Sequence, residues 1–316
     1  LCVKMDINDA RNISVAGLVS GTLSIIGCFL VILSYFAYES CRTFKTRLVV
    51  YLSIADLIWT VSLYSGLCYY LQADDHTITS GSWISHGSCV ASAFFLQWFV
   101  VSATLWVATI SIYVYLLICH GIDLKNREWL MHAICWGFPF ILALIPFGIP
   151  GRYGPAGTWC WVADPMARLG FSYVFVWSNL ILILVLYSLI ARYIWKQGKQ
   201  IRNYLDNSQK DTRSKKMRAV FKKLIIYPIV YLIQWVPGSV NRVQNAVAPN
   251  SPIVVLFIIH VLFVMSGGFL NFMAYSFGQR KKMRKERPFS RIGLPKPIDT
   301  ETSVTATGAD SPSVTT

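Results

Sequence analysis

Charge is what this sequence has least of. Asp, Glu, Lys and Arg make up 14% of its 316 residues, against about 25% in a soluble domain. The shortage excludes an ordinary water-soluble core, because it is concentrated in long runs with few charges or none. Acid is scarcest there: Asp56, in LSIADLIW, is the one carboxylate inside such a run. A membrane hydrolase would need His, Asp or Glu clustered within the bundle. His132 and His260 instead stand in separate runs without acidic neighbours in sequence. The last run, 253–277, contains no lysine, which excludes a retinal Schiff base. No internal repeat is evident, whereas a small-solute transporter would show paired broken helices or several intramembrane charges. A multi-pass transporter is therefore the second reading. No pattern points to an enzyme, a cofactor or a metal.

What is there instead is apolar: 54% of the residues are hydrophobic. A bilayer-spanning helix takes roughly 20 mostly apolar residues, and seven stretches qualify, near 14–37, 47–71, 89–118, 129–149, 170–195, 219–242 and 253–277. Backbone polar groups in hydrocarbon must be satisfied internally, so the expected fold is an all-α, seven-helix membrane bundle over 14–277 after a short 1–13 segment. The net charge of +14 is not a nucleic-acid footprint, because Lys and Arg fall in alternate gaps: 24 of the 29 lie in 38–47, 119–128, 192–223 and from 278 onward. Cytoplasmic loops collect Lys and Arg. That places the N-terminus outside and the C-terminus inside, and the basic excess faces anionic inner-leaflet lipid. The first run is too long for a cleavable signal and is expected to act as an uncleaved anchor in the plasma membrane. Asn12-Ile13-Ser14 fits the glycosylation sequon on the outer side, hard against the membrane.

On the inner side the longest connection is 196–218. Lys215, Lys216, Arg218, Lys222 and Lys223 interleave there with Met217, Val220, Phe221 and Leu224, which follow helical spacing. This is a snorkelling collar and, equally, a face for a cytoplasmic partner. Residues 278–289 read as a basic amphipathic segment along the membrane. From 290 to 316 the composition turns to Ser, Thr, Pro and Gly, which cannot bury a core and is expected to be disordered. The tail offers sites for phosphorylation, and with it for kinase or arrestin-like regulators.

Cys28, Cys68 and Cys135 lie inside spans, and Cys41 and Cys119 face the reducing side, where a disulfide would not persist. Cys89, opening the third span, and Cys160, in GTWCWV, share the outer side and are expected to pair. Cys2 is also outside, in an unrestrained terminus. Trp159 and Trp161 flank Cys160, as interface anchors or as lining of a ligand entrance. Asp56 is a functional-site candidate because intramembrane charge is costly, with Asn271 of the seventh span as its expected partner in a switch. In QWVPGSVNRVQN, Pro237 removes a backbone donor two residues after Trp235 and bends the sixth span. Asn241, Arg242 and Asn245 then reach the outer end, where Arg242 either meets an anionic ligand group or snorkels to the interface. His260 and Trp161 complete the pocket candidates. Gly17 and Gly21 form a Gly-x-x-x-Gly that serves dimerisation or packing within the bundle.

Seven spans with LSIAD, QWVP and NFMAY resemble a G-protein-coupled receptor. IIGC, SIYVYLLI, CWGFP, WCW and VNRV narrow the resemblance to the cyclic-AMP-receptor-like family of slime moulds and fungi, over about 14–277. The resemblance implies an extracellular small-molecule ligand, a cyclic nucleotide or a nutrient, and a heterotrimeric G protein as partner. It gives Asp56 the role of the second-helix aspartate of rhodopsin-like receptors, Cys89 and Cys160 the usual disulfide, and Trp235 and Pro237 the Trp-x-Pro bend. Asn271 and Tyr275 match Asn-Pro-x-x-Tyr, with Phe272 in place of its proline. The Asp/Glu-Arg-Tyr motif is missing after the third span.

Overall fold

The computed structural model describes residues 6–80, 82, 84–148, 153–204, 225–248, 251 and 253–284. These form a bundle of long helices: α1 (Ile7–Ala37), α2 (Phe44–Gln72), α3 (His86–His120), α4 (Lys125–Gly148), α5 (Leu169–Tyr173 continuing as Val174–Tyr204), α6 (Ile226–Val247), α7 (Val254–Met265) and α8 (Gly267–Met283). Among the described residues, five helices are long and apolar enough to cross a membrane, and the bent pair α7–α8 makes six. The exception is α6, whose described part is diluted by Gln234, Asn241, Arg242 and Gln244. A two-stranded antiparallel hairpin, β1 (Tyr153–Pro155) and β2 (Cys160–Val162), pairs Tyr153 with Val162 and Pro155 with Cys160. Gly157, at φ 102, makes its turn in a conformation that suits glycine.

Helix α1 starts seven residues before the expected 14. Asp6 caps it by accepting from the Asn8 amide at 2.9 Å. Arg11 fixes the extra turn with a bond to the Ala73 carbonyl at 3.1 Å and an ion pair with Asp75 at 2.9 Å. Asn12 is an exposed residue of this helix. Beyond it, Val19, Ile26, Phe29, Leu33 and Phe36 point outward, as a lipid-facing stripe does, while small residues face α2 and α7. A Cβ on Gly17 would lie 2.6 Å from Leu67 and 2.7 Å from Val261, and one on Gly21 would lie 2.7 Å from Met265. The two glycines thus pack inside the bundle.

The seventh span is not one helix. It breaks at Ser266 and turns by 47°. Neighbouring Gly267 and Gly268 carry low helix propensity, and Gly27 of α1 permits the close approach: a Cβ there would sit 2.7 Å from the Gly268 carbonyl. Phe272, at the place of the motif's proline, lies inside uninterrupted α8. The same helix runs on to Met283, so 278–283 continue α8 without a break. Having no proline or glycine between Gly278 and Met283, the chain has nothing there to stop it. The sixth span is described from Ile226 and persists to Val247, past the expected 242. Lys215, Lys216, Arg218, Lys222, Lys223 and the 290–316 tail lie outside the described residues.

Helices α3, α4 and α2 are joined by rings and one ion pair. Trp106 packs edge-on against Trp136 and His132 and tilted against Tyr51, with centroids 5.0 to 5.6 Å apart. At the end away from the hairpin, Arg47 grips both oxygens of Glu128 at 2.9 and 2.6 Å, and Tyr51 donates to the same carboxylate at 2.8 Å. Bidentate geometry makes this a stronger link than a typical surface pair.

Candidate ligand site and polar core

The hairpin lies across one end of the bundle. Cys160 is disulfide-bonded to Cys89 at the start of α3, with Cα atoms 5.4 Å apart. The backbone of Trp159 packs on Gly66 of α2, where a Cβ would come within 3.1 Å. Thr158 through Val162 are all buried, so the lid is seated in the bundle end and not held above it. Trp159 and Trp161 both turn inward, unlike interface anchors.

What seats the lid is a residue that reasoning from the sequence passed over. Gln97 of α3 is fully buried, and its carbonyl oxygen accepts from Trp161 Nε1 at 2.8 Å and from Ser172 Oγ at 2.7 Å. Its amide donates to the Phe171 carbonyl at 2.8 Å. Phe171 lies in the π turn Leu169–Tyr173 that opens α5, and a π turn frees carbonyls from the regular ladder. The next residue, Trp98, reaches the other way and donates to the Trp136 carbonyl at 3.0 Å, inside the π turn Ala133–Gly137 of α4. Two consecutive residues of α3 therefore each satisfy a bulge in a different neighbour. The signal was available: a glutamine in the run AFFLQWFVV is an intramembrane polar group of the kind that marks a site.

Beside this node the rings and guanidiniums alternate. Arg168 sits 5.4 Å from the Trp161 ring and donates to the Val162 carbonyl at 2.9 Å. Trp161 and Tyr173 have centroids 6.1 Å apart, and Arg242 of α6 lies 5.8 Å from the Tyr173 ring while its Nε donates to the Tyr173 hydroxyl at 3.0 Å. Among the described residues that is the one hydrogen bond of the Arg242 guanidinium, which has five N–H donors in all. Asn241 and His260 lie deeper in the packing. Both are buried and bonded to each other at 3.1 Å, tying α6 to α7. Asn245 belongs to the last turn of α6.

Toward the bundle centre, Tyr173 neighbours Trp177 at 5.8 Å, and Trp177 Nε1 donates to Ser239 Oγ at 3.0 Å. Ser239 in turn donates to the Trp235 carbonyl at 3.0 Å. Pro237 lies between these two residues and leaves the Ile233 carbonyl without its helical donor. Trp235 borders a cavity with room for about one water, whose wall includes Asp56, Trp59, Thr104, Tyr231, Gln234 and Asn271. Here Asn271 donates to one oxygen of Asp56 at 2.7 Å and Trp59 to the other at 3.1 Å. Asp56 is thus the hub of a buried α2–α8 link. Tyr275, one turn further along α8, accepts from Ser34 of α1 at 3.0 Å.

With this geometry in hand, the chain can be compared with known proteins. Residues 3–285 match the family model described as slime mold cyclic AMP receptor. Cyclic AMP receptor-like protein A of Dictyostelium discoideum is 27% identical over 264 residues, covering 82% of this chain and 63% of that protein. Cyclic AMP receptor 4 of the same organism is 27% identical over 251 residues, covering 78% and 52%. Ascaroside receptor GPR3 of Arthrobotrys oligospora is 27% identical over 190 residues, covering 58% and 46%. The chain spans about half to two thirds of the length of these curated relatives. Squid rhodopsin superposes with a TM-score of 0.68 over 88% of this chain and 84% of its own, at 16% identity, which is a likeness of fold. Family match, seven-helix architecture and the disulfide between lid and α3 agree: the chain belongs to the slime mold cyclic AMP receptor family, a family of seven-helix membrane receptors and not of enzymes.

Proposed function

We propose that this receptor sits in the plasma membrane with its hairpin end outside, senses a small molecule there and activates a heterotrimeric G protein at the other end. The observation that carries the reading is the chain of contacts from Arg242 through Tyr173, Trp177 and Ser239 to Trp235, which borders the Asp56–Asn271 cavity. A ligand held at the hairpin end acts on α6 above its proline, and the proline lets the far end respond. It does so only through unequal affinity for two states. Arg242 is the residue assigned to an anionic group such as a phosphate, with Trp161 on the far side of Tyr173, Asn245 three residues along α6 as a further candidate, and Asn241–His260 bracing α6. The basic stretch with Lys215, Lys216, Arg218, Lys222 and Lys223 is assigned to the G protein and to anionic lipid. Asp56, Trp235, Pro237, Asn271 and Tyr275 are assigned to the switch.

The test is expression with a G-protein reporter against cyclic nucleotides, sugars, amino acids and lipids. An anionic agonist is expected to lose about tenfold or more in potency in Arg242→Ala at equal surface expression, the worth of one charge-assisted hydrogen bond. Unchanged potency would remove Arg242 from the site. Silence toward every class, with surface expression confirmed, would overturn the receptor reading.

A further inference from the structure

The break between α7 and α8 leaves unmade the helical hydrogen bonds of the Gly267, Gly268 and Phe269 amides, including the one from the Gly268 amide to the Val264 carbonyl. Each half of that bond has found a substitute in a different helix. Ser24 Oγ of α1 accepts from the Gly268 amide at 2.8 Å, and Gln234 Nε2 of α6 donates to the Val264 carbonyl at 3.0 Å. Both side chains are buried. An orphaned backbone pair in hydrocarbon is otherwise costly, so these two side chains are what the bend requires.

We propose that α7 and α8 exchange between this broken form and one continuous helix, with Gln234 and Ser24 setting the balance. Re-forming the bond from Gly268 to Val264 releases both side chains at once. Ser24 then has the carbonyl of Ser20, one turn back on its own helix, as an alternative partner. Gln234 stands three residues before Pro237, in the turn where α6 already lacks a ladder bond, so a shift of α6 withdraws its amide from Val264. Straightening trades these side-chain bonds for backbone bonds of α7–α8, a trade that a modest displacement of α6 tips. Asn271 lies three residues beyond Gly268, so straightening the span re-aims it relative to Asp56. None of this rests on the identity of a ligand or a G protein.

The test measures the angle directly. Val255 and Phe277 are exposed near the two ends of the pair and accept spin labels through unnatural amino acids, which spares the free cysteines. At about 1.5 Å per residue, a 47° bend brings these positions about 3 Å closer than a straight helix does. Electron–electron resonance distances on the full chain in lipid discs are expected to move toward the longer value in Ser24→Ala, in Gln234→Leu and furthest in the double variant. Ser24→Thr keeps the hydroxyl and should keep the wild-type distribution. Gly267→Ala removes no partner, but its Cβ would run into the Gln234 amide, so it should lengthen the distance as Gln234→Leu does. If a variant fails to fold, the wild-type chain still decides: two populations about 3 Å apart support the exchange. One short distance in wild type and in every folded variant overturns it, as does a wild type found only in the long form.

Discussion

Gln97→Leu should destabilise this receptor by about 3 kcal/mol or more, among the largest effects of any single change outside the glycine seams. The substitution keeps volume but strips partners from three groups at once: the buried Trp161 Nε1 and Ser172 Oγ, and the carbonyl of half-buried Phe171. Each buried polar group left unpaired costs about 1–3 kcal/mol, and one escapes part of that if a water enters. Thermal unfolding in detergent reads the loss. Gln97→Glu separates the contributions, because an ionised carboxylate accepts from Trp161 and Ser172 but cannot donate to Phe171, whereas the protonated acid keeps one donor. It should fall between wild type and leucine if it is accommodated neutral, and below leucine if it stays charged. A melting temperature that does not move in Gln97→Leu would show that the lid is held by packing alone.

Removing the disulfide, as Cys89→Ser with Cys160→Ser, should cost about 2–4 kcal/mol. The bond closes a loop with a sequence separation of 71, for which the chain-entropy estimate in water is about 4 kcal/mol. The lower part of the range is expected because helices that stay inserted in the membrane restrain the unfolded state already. Reductant gives an internal control. It should lower the melting temperature of wild type toward that of the double serine variant and leave the variant unmoved. Both sulfurs belong to buried residues, so the reduction should be slow at ambient temperature and speed up as the hairpin loosens. Equal melting of the two proteins in oxidising buffer would overturn the assignment of stability to this bond.

The two predictions differ in how visible their cause was beforehand. Cys89 and Cys160 could be paired from sequence because Cys41 and Cys119 face the reducing side, Cys28, Cys68 and Cys135 lie inside spans, and Cys2 sits in an unrestrained terminus. Asp56 stood out because a carboxylate in an apolar run has no cheap explanation, and an amide was the natural partner to look for in another span. Gln97 carried the same kind of signal and was overlooked beside the charged residue. The break at Ser266 had a local trace in Ser-Gly-Gly, yet average hydropathy passes over it, since those residues are small and nearly neutral. The π turns of α4 and α5 have no trace at all. Only the packing of α3 between those helices decides where a residue is inserted. Arg242 was legible as a cation at a span end, whereas its place over Tyr173 depends on how α5 and α6 lie together.

Consecutive Gln97 and Trp98 also set where the bundle resists force. Both adjacent helices and, through Cys89, the lid are fastened to the same stretch of α3, while the ring cluster fastens its lower half to α4 and α2. The side-chain hydrogen bonds of α6 are spread singly over its neighbours: Trp177 to Ser239, Arg242 to Tyr173, Tyr231 to Val176, Asn241 to His260, Gln234 to Val264. Backbone amides of α3 should therefore exchange with heavy water slowest of all, and those on either side of Pro237 far sooner. Pulling on the hairpin would load the most rigid post in the molecule first, leaving α6 as the member that yields.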